Sequence, residues 1–304
     1  MAAWYNETLT GSLLAATPGG LATEALQVAV LSLAAVAYAR RAGTLRRRGR
    51  AVSLARQVWF FGGLLILVLA LASPIHTLGE ERLFYAHMVQ HLLIGDLAAL
   101  AIVLGLNGPL LRPILALSLL RHLRVLAHPL VALPLWTVNL FVWHVPDLYQ
   151  AALAQGAVHA LQHGLFFTTG ALMWAAVVEP LPGPVWFGTG PKALYVLVVR
   201  TAGAVLASVF IWAARPFYPW YAAGEARSGL SPVTDQTIGG LIMFVEGSVV
   251  TLVAFGWLFL RWVREAELRQ RLMDSGHDRQ TAARAARYGR SALARSGADP
   301  PDPA

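Results

Sequence analysis

The chain of 304 residues contains no cysteine. That excludes disulfides, thiolate metal ligands and cysteine nucleophiles, so imidazole, carboxylate and thioether groups are the side-chain metal donors left. Charge is scarce as well. Asp, Glu, Lys and Arg together make 13% of the residues, about half the share of a soluble domain. There is one lysine, Lys192, before the sixth apolar run, which rules out a last-span Schiff base of the retinal-protein kind. The opening MAAWYNETLTGS lacks the basic segment of a cleaved signal peptide, so the first span is expected to act as signal and anchor.

What abounds is apolar surface: 57% of residues are hydrophobic and the mean hydropathy is +0.56. The sequence predicts an all-α polytopic membrane bundle with seven spans, at about 21–39, 56–73, 88–111, 125–143, 158–178, 193–213 and 238–262. Arginines gather after span one (Arg40, Arg41, Arg46, Arg47, Arg48, Arg50), between spans three and four (Arg112, Arg121, Arg124) and after span seven (Arg261, Arg264). Cytoplasmic loops carry such an excess, which puts the N-terminus outside and the C-terminus inside. The predicted organisation is an extracytoplasmic segment 1–20, a seven-helix domain 21–263 and an Arg-rich cytoplasmic tail 264–304, its SGADPPDPA end disordered. The net charge of +8 lies mostly in these loops, so a lipid bilayer is the expected partner rather than nucleic acid. The oligomeric state is not encoded in any pattern here.

On that topology the histidines segregate. His76, His87, His91, His144, His159 and His163 all fall at the extracytoplasmic ends of spans two to five, while His122, His128 and His277 lie inside. His87-Met-Val-Gln-His91 opens span three, and His159-Ala-Leu-Gln-His163 opens span five. Residues four apart share a helix face, so each pair presents two imidazoles to one point. Span two ends in Pro74-Ile-His76 and span four in His144-Val-Pro146, which suggests a parallel repeat of helix hairpins 2–3 and 4–5. A lone histidine at a helix start is usually interfacial, but two such pairs on one rim point to a metal. Imidazole suits copper, zinc, iron and nickel, and Met88 and Met243 would add soft donors that favour Cu(I). Asp235 reads first as the N-cap of span seven, with a ligand or supporting role open to it and to Met243.

Three charges fall deep inside spans: Asp96, Arg200 and Glu246. Intramembrane charges are costly and normally paired, so Arg200 is expected to pair with Asp96, Glu246 or both.

At HMVQHLL (87–93), LGLNGPLLRP (104–113), WHVPDLY (143–149), HALQH (159–163) and DQTIGGLIMF (235–244) the chain resembles the bacterial CtaG family of caa3-type cytochrome c oxidase assembly factors. The resemblance implies a multi-pass protein of the bacterial cell (inner) membrane, not an enzyme, that helps build a haem-copper oxidase. Its partners would be cytochrome c oxidase subunits and its cargo copper. Two alternatives from other classes stand beside it. One is a b-type haem electron carrier ligated by spans three and five; the other is a proton or metal transporter using Asp96, Glu246 and Arg200. A hydrolytic zinc enzyme would need Glu80 or Glu81 to activate water, and both read instead as solvated loop charge.

Overall fold

The computed structural model describes residues 18–117 and 123–288, and every regular element among them is helical. Arg121, His122, most of the N-terminal segment and the SGADPPDPA end lie outside the described residues. The first helix, α1, covers Pro18–Arg47, α2 covers Leu54–Ala72, and α3 is a short helix, Pro74–Glu81. Then α4 (Phe84–Leu92) runs through a π-helical turn, Leu93–Ala98, into α5 (Ala99–Gly105). After α6 (Gly108–Leu115) come α7 (Pro129–Trp143), the short α8 (Pro146–Ala154) and α9 (Gly156–Val178). The chain continues through α10 (Thr189–Trp212), α11 (Ala222–Ser228), the long α12 (Pro232–Asp274) and α13 (Arg279–Tyr288).

Six of these stretches are long and apolar enough to cross a membrane: Ala25–Arg47, Leu54–Ala72, Phe84–Gly105, Gly156–Val178, Thr189–Trp212 and Pro232–Asp274. The protein is therefore a multi-pass helical membrane protein. The fourth expected span differs from the rest. Helix α7 has 15 residues, about 22 Å at the usual rise, and meets α8 at a 77° bend, so only the bent pair together makes a seventh.

Local chemistry explains where the helices stop. Ser73 ends α2, and its hydroxyl accepts from the Ile75 N–H (3.2 Å) at the start of α3, whose first residue is Pro74. Pro146 likewise opens α8, there without a side-chain cap. Both hairpins thus place a short proline-initiated helix between two long ones, α2–α3–α4 and α7–α8–α9. Span three ends at Gly105, not at residue 111 as the apolar run suggests. The Arg56 guanidinium takes the carbonyls of Leu104 (3.2 Å) and Leu106, and the Asn107 side chain caps the new helix at the Leu110 N–H (3.0 Å). A cation on terminal carbonyls and a fresh N-cap stop a helix despite its hydropathy.

The chain forms two compact units, one of Met1–Leu181 with Gly203–Phe244 and the other of Pro182–Ala202 with Val245–Ala304. In the first, glycines set how closely the helices approach. A Cβ at Gly170 of α9 would collide with the carbonyl of Gly95 in the π-helical turn, and one at Gly63 of α2 would meet Ile102 at 2.6 Å. The π turn and α5 are therefore held against α2, and the π turn against α9. The Trp174 indole N–H of α9 donates to Asp96 of that turn (2.6 Å). One apolar cluster there gathers Phe84, Met88, Leu140, Tyr149, Phe166, Phe210, Tyr218 and Met243.

In the second unit, Arg200 donates to the Ser248 hydroxyl (2.8 Å) and feels the charge of Glu246. Arg287 of α13 donates to the carbonyls of Val185 (3.0 Å), Pro184 (3.3 Å) and Phe187 (2.5 Å). The tail is thus helical as far as Tyr288.

Candidate metal centre

Helices α4 and α9 carry the two H-x-x-Q-H segments in their first two turns, and the glycine contact at Gly95 and Gly170 fixes their separation. The four imidazoles meet as a result. Ring centroids lie 4.2 Å apart for His87 and His91, 4.1 Å for His159 and His163, 5.2 Å for His87 and His159, and 5.4 Å for His91 and His163. His144, at the C-terminus of α7, flanks the group 6.3 Å from His91. His76 of α3 flanks it on the other side, 6.4 Å from His159. One donor nitrogen each from His87, His91 and His159 falls within 4.8 Å of the others, a spacing one ion can bridge with small side-chain shifts.

The hydrogen bonds of these rings decide their tautomers. His87 Nδ1–H donates to the Gly79 carbonyl (3.1 Å) and His144 Nδ1–H to the Leu140 carbonyl (2.6 Å). His159 Nδ1–H donates to Glu80 Oε1 (2.6 Å). Carbonyls and carboxylates only accept, so in the neutral rings the proton sits on Nδ1 and Nε2 keeps its lone pair. The Nε2 atoms of His87, His91, His144, His159 and His163, and His91 Nδ1, are buried without a hydrogen bond within the protein. A buried polar atom left so costs about 1–3 kcal/mol. A cation held by several of the lone pairs offsets that cost; in each neutral ring one nitrogen carries the proton, so His91 offers only one of its two.

The supporting residues include several that sequence reasoning missed. Glu80 is not solvated loop charge: it is 30% exposed and touches both His159 and His76. The Tyr221 hydroxyl donates to the Gly79 carbonyl (3.0 Å), the same oxygen that fixes His87, so Tyr149 must donate to Tyr221 (2.8 Å). The Tyr218 hydroxyl donates to the His144 carbonyl (2.8 Å). Burial holds the phenols of Tyr218 and Tyr221 above the usual tyrosine range, so they act as neutral donors. The available signal was the spacing: Glu80 lies four residues after His76, and Tyr218 and Tyr221 lie three apart.

Asp235 corrects the expected role. It lies inside the first turn of α12 and caps a different helix: its carboxylate accepts from the N–H groups of Phe84 (2.7 Å) and Tyr85 (3.0 Å), the start of α4. It therefore holds the helix that carries His87 and His91. Glu225 of α11 lies against it, and burial together with the Asp235 charge pushes the Glu225 carboxyl up to about 7. Met88 and Met243 sit in the apolar cluster described above, with Met88 packed where a Cβ on Gly239 would reach it at 3.3 Å. Of the inner histidines, His128 accepts from the Leu130 N–H (3.4 Å) as a helix cap, and His277 pairs with Ser275 (3.3 Å).

Fold and site together define a multi-pass helical membrane protein that keeps a knot of buried imidazoles between two helix mouths. Comparison with known proteins refines this: residues 36–265 match the Caa3_CtaG family, described as cytochrome c oxidase caa3 assembly factors, and the chain belongs to that family. It is also 22% identical over 260 residues to uncharacterized proteins of Mycobacterium bovis and Mycobacterium tuberculosis. Each match covers 76% of this chain and 37% of the relative, so the chain spans little more than a third of those proteins' length. No solved structure matches it.

Proposed function

We propose that the protein serves assembly of a haem-copper cytochrome c oxidase by holding copper on its extracytoplasmic side, in the bacterial cell membrane, for transfer to an oxidase subunit. The family supports the assembly role. The copper role rests on one observation: buried imidazole nitrogens that face one another, several of them with the opposite ring nitrogen already committed as a donor.

Charge selects the oxidation state. The rings of His87, His91 and His159 are neutral donors, with one carboxylate, Glu80, behind His159, and the desolvation penalty of an ion grows steeply with its charge. Imidazole accepts copper, zinc, iron or nickel, and the monovalent Cu(I) is favoured among them by its charge. Ring-to-ring packing at 4.1–5.4 Å also favours a single ion over a haem, which needs a flat slot between its two axial ligands.

Metal analysis of the purified protein tests the reading. The wild type, loaded with Cu(I) under reducing conditions and desalted, should retain copper. The His87→Ala plus His159→Ala variant should retain little. Equal copper in the two, or none in the wild type, overturns it.

A further inference from the structure

The carboxylate of Glu80, which holds the His159 ring, and the imidazole of His76 lie beside the buried rings, and neither is a ligand in the reading above. We propose that they form a second, outer cation site, selective for divalent ions, which receives metal from solvent at the threshold of the buried set. The inference rests on the copper reading for its purpose but not for its chemistry.

Three observations carry it. His76 and Glu80 are four residues apart on α3, hence on one face, with Nδ1 and Oε1 3.2 Å apart. Their side chains are 26% and 30% exposed, against 7% for the His159 side chain next to them, so solvent ions reach them first.

The third observation is a conflict of acceptors. Gln90 Nε2 lies 2.9 Å from both the Ala70 carbonyl and His76 Nδ1. Turning the amide over would set its oxygen against the Ala70 oxygen, so the amide nitrogen donates to both, and His76 Nδ1 is an acceptor. Glu80 Oε1 already accepts from His159 Nδ1–H and faces that same lone pair. Two acceptors pointed at each other are stabilised by a cation between them. A carboxylate has about four lone-pair sites, so Glu80 can bind an ion and keep His159, whereas the single lone pair of His76 Nδ1 passes from the Gln90 N–H to the ion and Gln90 keeps the Ala70 carbonyl.

The ligand set fixes the preference. One carboxylate, one imidazole and water suit Zn(II) or Cu(II), and the negative charge with its partial exposure offsets the desolvation of a divalent ion. The inner rings have neither advantage. The ring of His159 joins the two sites: it stacks parallel to His76 within 5°, gives Nδ1–H to Glu80 and leaves Nε2 for the inner set. An ion at the outer site is one ring away from the inner one.

Titration calorimetry of the full chain in detergent with Zn(II), beside competition for Cu(I) against a chromogenic chelator, separates the sites. His76→Ala should lose one Zn(II) per chain or weaken it at least ~10-fold, with Cu(I) affinity within about threefold of wild type; Glu80→Gln should weaken Zn(II) likewise and also lower Cu(I) affinity, because Glu80 holds the His159 ring. The double variant His91→Ala plus His163→Ala should show the reverse, and its retained Zn(II) reports that the fold survives. No Zn(II) binding by the wild type overturns the outer site. So does binding unchanged by Glu80→Gln and His76→Ala, or lost equally in the double variant. If Zn(II) behaves as expected and the wild type binds no Cu(I), the copper reading falls and the outer site stands.

Discussion

The separation of α4 and α9 is the quantity on which ring convergence depends, and one methyl group perturbs it. In Gly170→Ala the new Cβ collides with the Gly95 carbonyl, comes to 2.9 Å from the Gly95 carbonyl carbon and touches the Ala99 side chain at 3.5 Å. The obstacle is backbone, so no rotamer change relieves it; α9 must withdraw by about 1 Å. His163 lies two turns up the same rigid helix, ~10 Å away, and the displacement carries to its ring. Overpacking of this kind costs about 1–3 kcal/mol. If half of that falls on the ion, Cu(I) affinity drops roughly 2- to 12-fold, since 1.4 kcal/mol is one decade. Gly164→Ala is the control: it sits beside His163 on the same helix, and its Cβ meets nothing within 4 Å. There the better helix propensity of alanine, worth up to ~1 kcal/mol, should leave stability equal or improved. Thermal unfolding in detergent and Cu(I) competition read both variants. If Gly170→Ala matches wild type in both assays, or Gly164→Ala fails alongside it, the helix-spacing argument is wrong.

Asp235→Ala removes a charged acceptor from two N–H groups at the start of α4, each such bond worth about 1.5–3 kcal/mol, so the midpoint of denaturation should fall clearly below that of Asp235→Asn, which keeps one acceptor oxygen. Glu225, raised to about 7 when folded, binds its proton more tightly in the native state; its contribution is full below the unfolded value near 4.5 and is lost as pH rises through 7. The difference in stability between wild type and Glu225→Gln should therefore change across pH 4.5–7 in favour of the variant, and a pH-independent difference counts against the buried carboxyl pair. Tyr221→Phe takes a donor from the Gly79 carbonyl and strands the Tyr149 hydroxyl, with an expected loss of about 1–2 kcal/mol by denaturant titration and a smaller effect on Cu(I) affinity than His87→Ala.

Much of the site was legible because its signal is local. Paired imidazoles at i and i+4, and prolines beside His76 and His144, survive in the sequence as spacing. What could not be read depends on how helices rotate against each other. In a chain apolar on every side, periodicity does not say which face of α4 meets α9, so Met88 stayed open as an auxiliary donor beside the histidines; in the structure it packs into the apolar cluster. Asp235 was read as capping its own helix because capping rules are local, yet its carboxylate reaches across to Phe84 and Tyr85. Glu80 passed for loop charge because the loop folds as α3 and turns that carboxylate toward the rings. Hydropathy carried span three to residue 111, and the Arg56 guanidinium on Leu104 and Leu106 stops it sooner.

X-ray absorption at the copper edge of the Cu(I)-loaded protein bears most directly on whether the two H-x-x-Q-H helix mouths share an ion. A first shell made of nitrogen alone, with the outer-shell scattering of imidazole, is the predicted spectrum, and it should vanish in the His87→Ala plus His159→Ala variant. A sulfur scatterer from Met88, or a shell unchanged by losing those two rings, would contradict the account.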